Sequence, residues 1–360
     1  MGGVKILSLF DGMACGMLAM IEAGVQVDRY VAYEIDKYAT KTSTHNFPTI
    51  EHRGDVFDAD FTEFAGFDWL IGGSPCTYWS IAQKNNRETE ASGMGWELFS
   101  QYVRALREAQ PLFFIYENNK SMSNAIRQSI SETFGFEPIC INSALVSAQN
   151  RQRLYWVGKR NADGTYSKCN IEQPEDRGIL LKDVLETGIT DREKGRAIIC
   201  SAGRTTHREY FQKHQGNMAF EPINLDKIHD LKDRQSYIQY DFSGKSYDSQ
   251  DQRAYYVDAK HGTLNASSTQ SKTGVITPCG ATVKNAYMVS GGRIFIKDKS
   301  YPVNLPDGFY IIRKLTVREC MRLQTVPEWY EFPVSDSQAY KMLGNGWTVS
   351  VIAHLIKEAQ

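Results

Sequence analysis

The sequence has few of the features that mark membrane, secreted or zinc-binding proteins. Its seven cysteines include no Cys-x-x-Cys pair, which argues against a zinc site, and their odd number argues against a disulfide framework. No apolar run approaches the roughly 18 residues that span a bilayer, and the first residues lack the charged region and cleavage site of a secretory signal. We therefore predict a cytoplasmic protein with reduced thiols, no bound metal and no membrane partner.

The sequence also has no marked excess of positive or of negative charge. Lys and Arg number 41 against 42 Asp and Glu, which gives a formal net charge of −1. This total argues mildly against a polyanion-binding protein, although basic residues concentrated on one face would still permit DNA binding. The length of 360 residues predicts one large domain and a smaller one.

Apolar runs and helical stretches alternate over the first 160 residues, which predicts an α/β fold with a doubly wound, mostly parallel sheet. Residues 190–308 are polar and poor in helical periodicity, which predicts a second, smaller domain of short strands and loops. We place the first domain at 1–185 and 309–360 and the second at 186–308. Helices are predicted at 17–23, 36–46, 98–109, 179–186, 335–342 and 348–357, with another capped by Thr316.

A glycine-containing turn, Phe10-Asp11-Gly12-Met13-Ala14-Cys15-Gly16, follows the first predicted strand. Glu34 ends the second strand about 20 residues later, the interval at which an acid binds ribose hydroxyls. Asp55 would end a third strand, where its carboxylate could accept from an adenine amino group. The turn lacks the third glycine of Gly-x-Gly-x-x-Gly, so a dinucleotide is poorly supported, and an ordinary strand-to-helix turn is the alternative.

Three further motifs stand at predicted strand ends. Cys76 follows Gly-Gly-Ser-Pro at the end of the apolar run 67–71, a position where ligands bind in open α/β sheets. Glu117 ends a very apolar strand, where burial would favour a protonated carboxyl able to share its proton. Arg151 and Arg153 alternate at the start of a strand, so both side chains would leave one face, suited to an anion or a base carbonyl. The alternatives are that Cys76 is a buried packing residue, that Glu117 is a solvated acid at a strand end, and that the two arginines are a surface pair.

In this order the motifs resemble those of the DNA (cytosine-5)-methyltransferase family. The turn at 10–16 resembles its first motif, Ser74-Pro75-Cys76 its Pro-Cys loop, and Glu117-Asn118 its Glu-Asn motif. Gln149-x-Arg151-x-Arg153 resembles its Gln-x-Arg-x-Arg motif. Residues 313–324 and 343–346 resemble its last two motifs, and 186–308 then falls where the family has its target-recognition domain.

The resemblance implies an S-adenosyl-L-methionine-dependent enzyme that acts on a cytosine flipped out of double-stranded DNA and releases S-adenosyl-L-homocysteine. Cys76 would add to C6 of the ring, Glu117 would contact N3 and the amino group, and Arg153 would hold O2. Arg151 would position the Cys76 loop or a phosphate. The implied cofactor-binding residues are Phe10, Asp11, Gly12, Ala14, Gly16, Glu34, Ile35, Asp55, Val56, Pro75, Asn345, Trp347 and Thr348.

Some residues depart from the common bacterial pattern. Asp11, Ala14 and Cys15 make the first motif similar to that of the animal de novo branch, Thr77 replaces the usual Gln, and Asn119 replaces the usual Val. These changes leave the expected chemistry intact but do not allow the DNA target sequence to be inferred.

Three alternatives remain at this point: a catalytically silent DNA-binding regulatory homologue, an RNA (tRNA) cytosine-5 methyltransferase and, more distantly, an NAD-dependent oxidoreductase. We expect a standalone, monomeric enzyme of bacterial or phage type. Neither the recognition sequence nor an accompanying restriction endonuclease can be read from these residues.

Overall fold

A computed structural model describes residues 2–75, 78–80, 87–223, 237–239, 253–256, 274–276, 281–284, 286–296 and 299–360. The chain divides into two units. The first comprises Met1–Ile179, Arg196–Gly203 and Cys320–Gln360, and the second Leu180–Gly195 and Arg204–Glu319.

The described strands are numbered in chain order. They are β1 (Val4–Leu9), β2 (Val27–Tyr33), β3 (Glu51–His52), β4 (Trp69–Gly72), β5 (Phe113–Asn119), β6 (Ile139–Asn142), β7 (Gln149–Asn150), β8 (Gln152–Arg160), β9 (Tyr166–Lys168), β10 (Gly195–Arg196), β11 (Met218–Pro222), β12 (Tyr237–Gln239), β13 (Arg253–Tyr256), β14 (Gly274–Ile276), β15 (Ala281–Lys284), β16 (Ala286–Ser290), β17 (Arg293–Ile296), β18 (Lys299–Pro302) and β19 (Gly308–Lys314).

The described helices are numbered in the same way. They are α1 (Cys15–Ala23), α2 (Lys37–Asn46), α3 (Gly93–Ala109), α4 (Asn124–Phe134), α5 (Leu181–Val184), α6 (His207–Phe211), α7 (Val317–Leu323), α8 (Asp336–Asn345) and α9 (Val349–Ala359). No helix in the described ranges is both long enough and apolar enough to cross a membrane.

The first unit is built on a sheet with the strand order β3-β2-β1-β4-β5-β8-β6, and β9 also pairs with β8. The pairs from β3 to β5 are parallel, whereas β8 runs antiparallel to β5 and to β6. Leu7, Leu70 and Phe114 are fully buried, as expected for strands that are covered on both faces. The prediction of a mostly parallel α/β sheet is confirmed, and the carboxyl ends of β1, β2, β4 and β5 lie at one edge.

Local signals explain where the helices begin and end. The α2 helix follows Asp36, whose carboxylate accepts from the Tyr38 N–H, and α1 ends at Gly24 in the left-handed region. Thr316 caps α7 as predicted, because its hydroxyl accepts from the Glu319 N–H. The Thr316 cap and the stop at Gly24 were therefore readable from the sequence, whereas Asp36 was predicted as part of α2 and is its cap.

Two predicted helix boundaries are wrong by three or more residues, and the first is the beginning of α3, which lies at Gly93 and not at 98. Residues 343–346 were expected to separate two helices, but α8 continues through Gly344 to Asn345. A Cβ at Gly344 would lie 2.3 Å from the Cys200 nitrogen, so this glycine permits close packing of α8 on a neighbouring backbone.

The second unit contains a five-stranded antiparallel sheet in the order β11-β19-β16-β17-β18. Its buried core includes Tyr210, Phe220, Tyr287 and Tyr310. The four strands β12-β13-β15-β14 form a separate antiparallel sheet. Because β19 pairs with β11 and β16, residues 308–319 lie in this unit, whereas we had placed 309–319 with the first domain.

Candidate active site

The turn after β1 is held in an unusual backbone conformation. Phe10, Gly12 and Ala14 all have positive φ angles, of 57°, 62° and 61°, and such values are uncommon for residues other than glycine. The Gly12 N–H donates to Glu34 Oε2 (2.8 Å), and the Asp36 N–H donates to Glu34 Oε1 (2.7 Å). A hydrogen bond thus joins the glycine-containing turn directly to Glu34, the acid predicted from the sequence. A Cβ at Gly12 would meet nothing within 4 Å, so the space beside it is open.

Asp11 is buried in the same turn. Its Oδ1 accepts from the hydroxyls of Ser8 and Tyr30, both at 2.6 Å. Its Oδ2 is buried and has no hydrogen-bond partner among the described residues. Burial raises the pKa of Asp11 to about 6. Asp11 was predicted from the sequence, whereas Ser8 and Tyr30 were not; the Tyr30 contact depends on the pairing of β1 with β2.

Cys15 begins α1 and is also buried. Burial raises the pKa of its thiol to about 12, so the thiol stays protonated and unreactive at neutral pH. Gly16 packs tightly, since a Cβ there would lie 2.3 Å from Ile71 Cδ1. Gly16 therefore lets α1 pack closely on the sheet.

The ends of β2 and β3 present apolar and acidic groups. Ile35 is 75% exposed, whereas Val56 is buried. The Asp55 carboxylate accepts from the Phe57 N–H (3.0 Å) and so caps a short 3₁₀ turn. An exposed isoleucine beside Glu34 provides a flat apolar surface of the kind that a ring can cover.

The backbone after β4 is pinned to the end of β5. The hydroxyls of Ser74 and Tyr116 are 2.7 Å apart, and Asn118 Nδ2 donates to the Ser74 carbonyl (3.2 Å). A Cβ at Gly73 would lie 2.6 Å from the Glu117 carbonyl oxygen, so only glycine fits. These contacts hold exposed Pro75 at the mouth of the sheet. Cys76, which follows it, lies outside the described residues.

Glu117 is paired through both carboxylate oxygens. Its Oε1 lies 3.0 Å from Arg153 Nε in an ion pair, and its Oε2 accepts from Trp347 Nε1 (3.1 Å). The side chains of Glu117 and Arg153 are 13% and 17% exposed. The antiparallel pairing of β5 with β8 sets Arg153 opposite Asn119, two residues from Glu117. The structure therefore brings together the predicted acid and one of the predicted arginines.

Arg151 contacts different groups. It lies between β7 and β8, and its guanidinium donates to the carbonyls of Ile198 (2.9 Å), Gly344 (3.2 Å) and Gly346 (2.8 Å). The expectation that Arg151 and Arg153 share one face is wrong, because the strand is interrupted at Arg151 and its guanidinium binds backbone carbonyls, whereas Arg153 pairs with Glu117. Arg151 thus holds the segment that carries Trp347.

Thr348 belongs to a buried polar network. Its hydroxyl donates to Gln324 Oε1 (2.9 Å) and is 2.8 Å from the Ser143 hydroxyl, and Gln149 Nε2 also donates to Gln324 Oε1 (2.8 Å). Asn345 is exposed at the end of α8. Of the three predicted residues in this segment, only Trp347 therefore contacts a predicted catalytic group.

The last residues of the chain return to the first turn. The Tyr330 hydroxyl donates to the Met13 carbonyl (2.6 Å), and α1 packs against α9. Lys341 Nζ pairs with the Asp36 carboxylate at 2.6 Å. The C-terminal segment thus packs beside the first turn. Tyr330 was not predicted as a site residue, because its hydrogen bond to Met13 joins positions that are far apart in the sequence.

The chain matches one protein-family model over nearly its whole length. The family model described as C-5 cytosine-specific DNA methylase matches residues 4–360. The chain belongs to this family. It is a DNA cytosine methyltransferase.

Relatives of this DNA methylase are found in phages and bacteria. The chain is 27% identical to the orphan methyltransferase M.SPRI of Bacillus phage SPR, over 99% of this chain and 98% of that protein. It is 27% identical to the Type II methyltransferase M1.ScrFI of Lactococcus lactis subsp. cremoris, over 98% of this chain and 77% of that protein. The regulatory and RNA-modifying alternatives are not favoured by these matches.

Solved structures share the fold of this DNA methylase. A DNA modification methyltransferase encoded within an Escherichia coli prophage matches with a TM-score of 0.55 and 20% identity, over 99% of this chain and 98% of that chain. Spodoptera frugiperda DNMT2 matches with a TM-score of 0.57 and 15% identity, over 99% of both chains. At these identities the likeness establishes the fold alone.

Proposed function

We propose that this DNA methyltransferase forms a covalent bond between Cys76 and C6 of a flipped cytosine and methylates C5 from S-adenosyl-L-methionine. The observation that carries the proposal is the Glu117–Arg153 pair, located beside the Gly73–Pro75 backbone that leads into Cys76. An acid, a guanidinium and a thiol are the groups that activation of a pyrimidine ring requires.

The residues at the ends of β1 to β3 fit the proposed cofactor. Each Glu34 oxygen accepts one backbone N–H and retains capacity to accept a ribose hydroxyl. Ile35 supplies an apolar surface for adenine, and Asp55 an acceptor for its amino group. The open space at Gly12 would admit the methionine portion. When bound, S-adenosyl-L-methionine supplies the methyl group to C5 and leaves as S-adenosyl-L-homocysteine.

The protein's own groups make C5 reactive. The Cys76 thiolate adds to C6, and the electron pair of the C5–C6 double bond moves toward C5 and the ring. Glu117 accepts from the amino group and, in its protonated form, donates a hydrogen bond at N3, while Arg153 neutralises charge that develops on O2. After methylation a water or a side chain accepts the C5 proton, the C6–S bond breaks, and the thiolate is regenerated.

The target base lies inside a stacked duplex, so we propose that it is flipped out before reaction. We assign target recognition to residues 186–308, whose polar side chains suit contacts with phosphates and base edges. We expect the enzyme to act as a monomer.

A methyl-transfer assay tests the proposed substrate. Labelled methyl groups from S-adenosyl-L-methionine should enter duplex DNA and not tRNA, and bisulfite sequencing of DNA from an expressing host should show methylated cytosine in a fixed sequence context. Label in tRNA alone, or in adenine, would contradict the proposal.

A further inference from the structure

An open cleft of about 560 Å³ lies beside the Glu117–Arg153 pair, at the end of β5 and the beginning of β8. We call it the amide cleft, because four of its lining residues are carboxamides. The residues that define it are Asn119, Asn142, Asn150, Gln152, Lys120 and Arg153.

Internal hydrogen bonds orient the carboxamides. Gln152 Oε1 accepts from Lys120 Nζ (2.8 Å), and Asn150 Oδ1 accepts from Asn142 Nδ2 (3.2 Å). Gln152 and Asn150 are both exposed. Within the described residues their amide nitrogens have no partner, and so the cleft presents N–H donors to solvent.

The charge of the cleft is positive. Lys120 is exposed, and its partner Gln152 is neutral, so the ammonium charge is not compensated. Arg153 adds a second cation, paired with Glu117. The residues that line the cleft include no carboxylate. A surface of N–H donors with net positive charge fits a ligand with several anionic oxygen acceptors.

Asn119 explains how the cleft is kept in shape. Its Nδ2 donates to Asn118 Oδ1 (3.0 Å), and its Oδ1 accepts from the Ser121 hydroxyl (2.6 Å). Arg87 in turn donates to the Ser121 carbonyl (2.7 Å). The polar residue that replaces the usual Val therefore fixes the turn that carries Lys120.

We propose that the amide cleft binds the phosphate backbone next to the flipped cytosine. This inference rests on the proposed function, since the cleft adjoins the groups assigned to the base. A phosphate fits better than an adenine edge, because among the described residues the unpartnered groups of Gln152 and Asn150 are N–H donors and the Lys120 charge is uncompensated, whereas an adenine edge offers a donor as well as an acceptor.

The test measures duplex DNA binding by Lys120→Gln at several salt concentrations. Loss of one phosphate contact should weaken binding roughly five- to tenfold at about 0.1 M salt and reduce the slope of log affinity against log salt by about one. The loss should be equal for duplexes of different sequence around the target, and affinity for S-adenosyl-L-methionine should not change. Lys168→Gln is the matched control, because Lys168 is exposed on β9, outside the cleft.

Gln152→Glu is a second variant, which keeps the side-chain size and neutralises Lys120 by an ion pair. This variant should show the same loss of DNA affinity and the same smaller salt slope as Lys120→Gln. Unchanged affinity and salt slope in both variants would overturn the proposal. A loss of affinity seen only for duplexes with one particular base beside the target would also overturn it, because it would indicate recognition of that base. Methylation by the unmodified enzyme is measured separately, so failure of the proposed function is distinguishable from failure of the cleft assignment.

Discussion

Glu117 is held at both of its carboxylate oxygens, and this geometry depends on residues far apart in the sequence. Arg153 comes from the adjacent strand, and Trp347 comes from the segment that Arg151 fixes through the carbonyls of Gly344 and Gly346. Trp347 was expected to bind the cofactor. Its indole N–H donates to Glu117, which makes it a candidate positioning residue as well.

Trp347→Phe keeps an aromatic ring but removes the N–H that holds Glu117 Oε2. We expect kcat to fall about tenfold, equivalent to about 1.4 kcal/mol for one hydrogen bond to a carboxylate, with KM for DNA unchanged. Steady-state kinetics measure this, with Trp329→Phe as control because Trp329 is exposed and contacts Phe47. A kcat that equals that of the control would show that the bond does not position the acid.

Asp11 predicts a pH dependence of stability. Burial raises its folded-state pKa to about 6 from 3.8, so between these values the folded protein binds more protons than the unfolded chain. The free energy of unfolding should therefore fall as pH rises through this window, by roughly 3 kcal/mol in total. This loss remains at higher pH.

Asp11→Asn removes the titrating group and keeps an oxygen that can accept from Ser8 and Tyr30. Urea unfolding of both proteins at pH 4 to 7 measures the effect. The difference in unfolding free energy should shift steadily in favour of the variant as pH rises. A constant difference across this range would mean that the carboxyl is not shifted.

At the scale of elements, the sequence was a good guide wherever the signal was local. Apolar runs located β1, β4 and β5, and the capping residue Thr316 located the beginning of α7. The antiparallel direction of β8 and the pairing of β19 with β11 and β16 could not be read, because strand partners are set by long-range contacts. The hydrogen bonds of Tyr30 with Asp11 and of Trp347 with Glu117 were not predicted for the same reason.

Gly344 shows how a long-range contact overrides a local preference. In an isolated helix Gly344→Ala would stabilise by about 1 kcal/mol. Here the new Cβ would lie 2.3 Å from the Cys200 nitrogen and 2.3 Å from the Ile199 carbonyl carbon. We expect a net loss of about 1–3 kcal/mol in the free energy of unfolding, because backbone must move.

Urea unfolding of Gly344→Ala measures this, with Ser337→Ala as control. Ser337 is exposed on the same helix, α8, so its replacement should be neutral or slightly stabilising. Equal stability of the two variants would indicate that the packing is loose at this point.

At the scale of the whole molecule, the formal charge of −1 gives no attraction for DNA. Binding must then depend on how charge is distributed, and the amide cleft is a described place where cations occur without neighbouring carboxylates in the lining. The family could be recognised from the order of its motifs, and the family match over residues 4–360 agrees. The order of motifs specifies the chemistry, whereas contacts between distant segments specify how each group is held.

The central claim is that Cys76 bonds to C6 of the target base, and trapping of that bond tests it most directly. A pool of duplexes with 5-fluorocytosine in place of cytosine is incubated with the enzyme and S-adenosyl-L-methionine, because fluorine blocks the proton removal that releases the thiolate. Mass spectrometry of the denatured, digested adduct should find the nucleotide on Cys76. Cys76→Ser should give no adduct and no methylation, and Cys200→Ser, which replaces an exposed cysteine, should behave as the unmodified enzyme does. An adduct on another residue, or methylation by Cys76→Ser, would contradict the account.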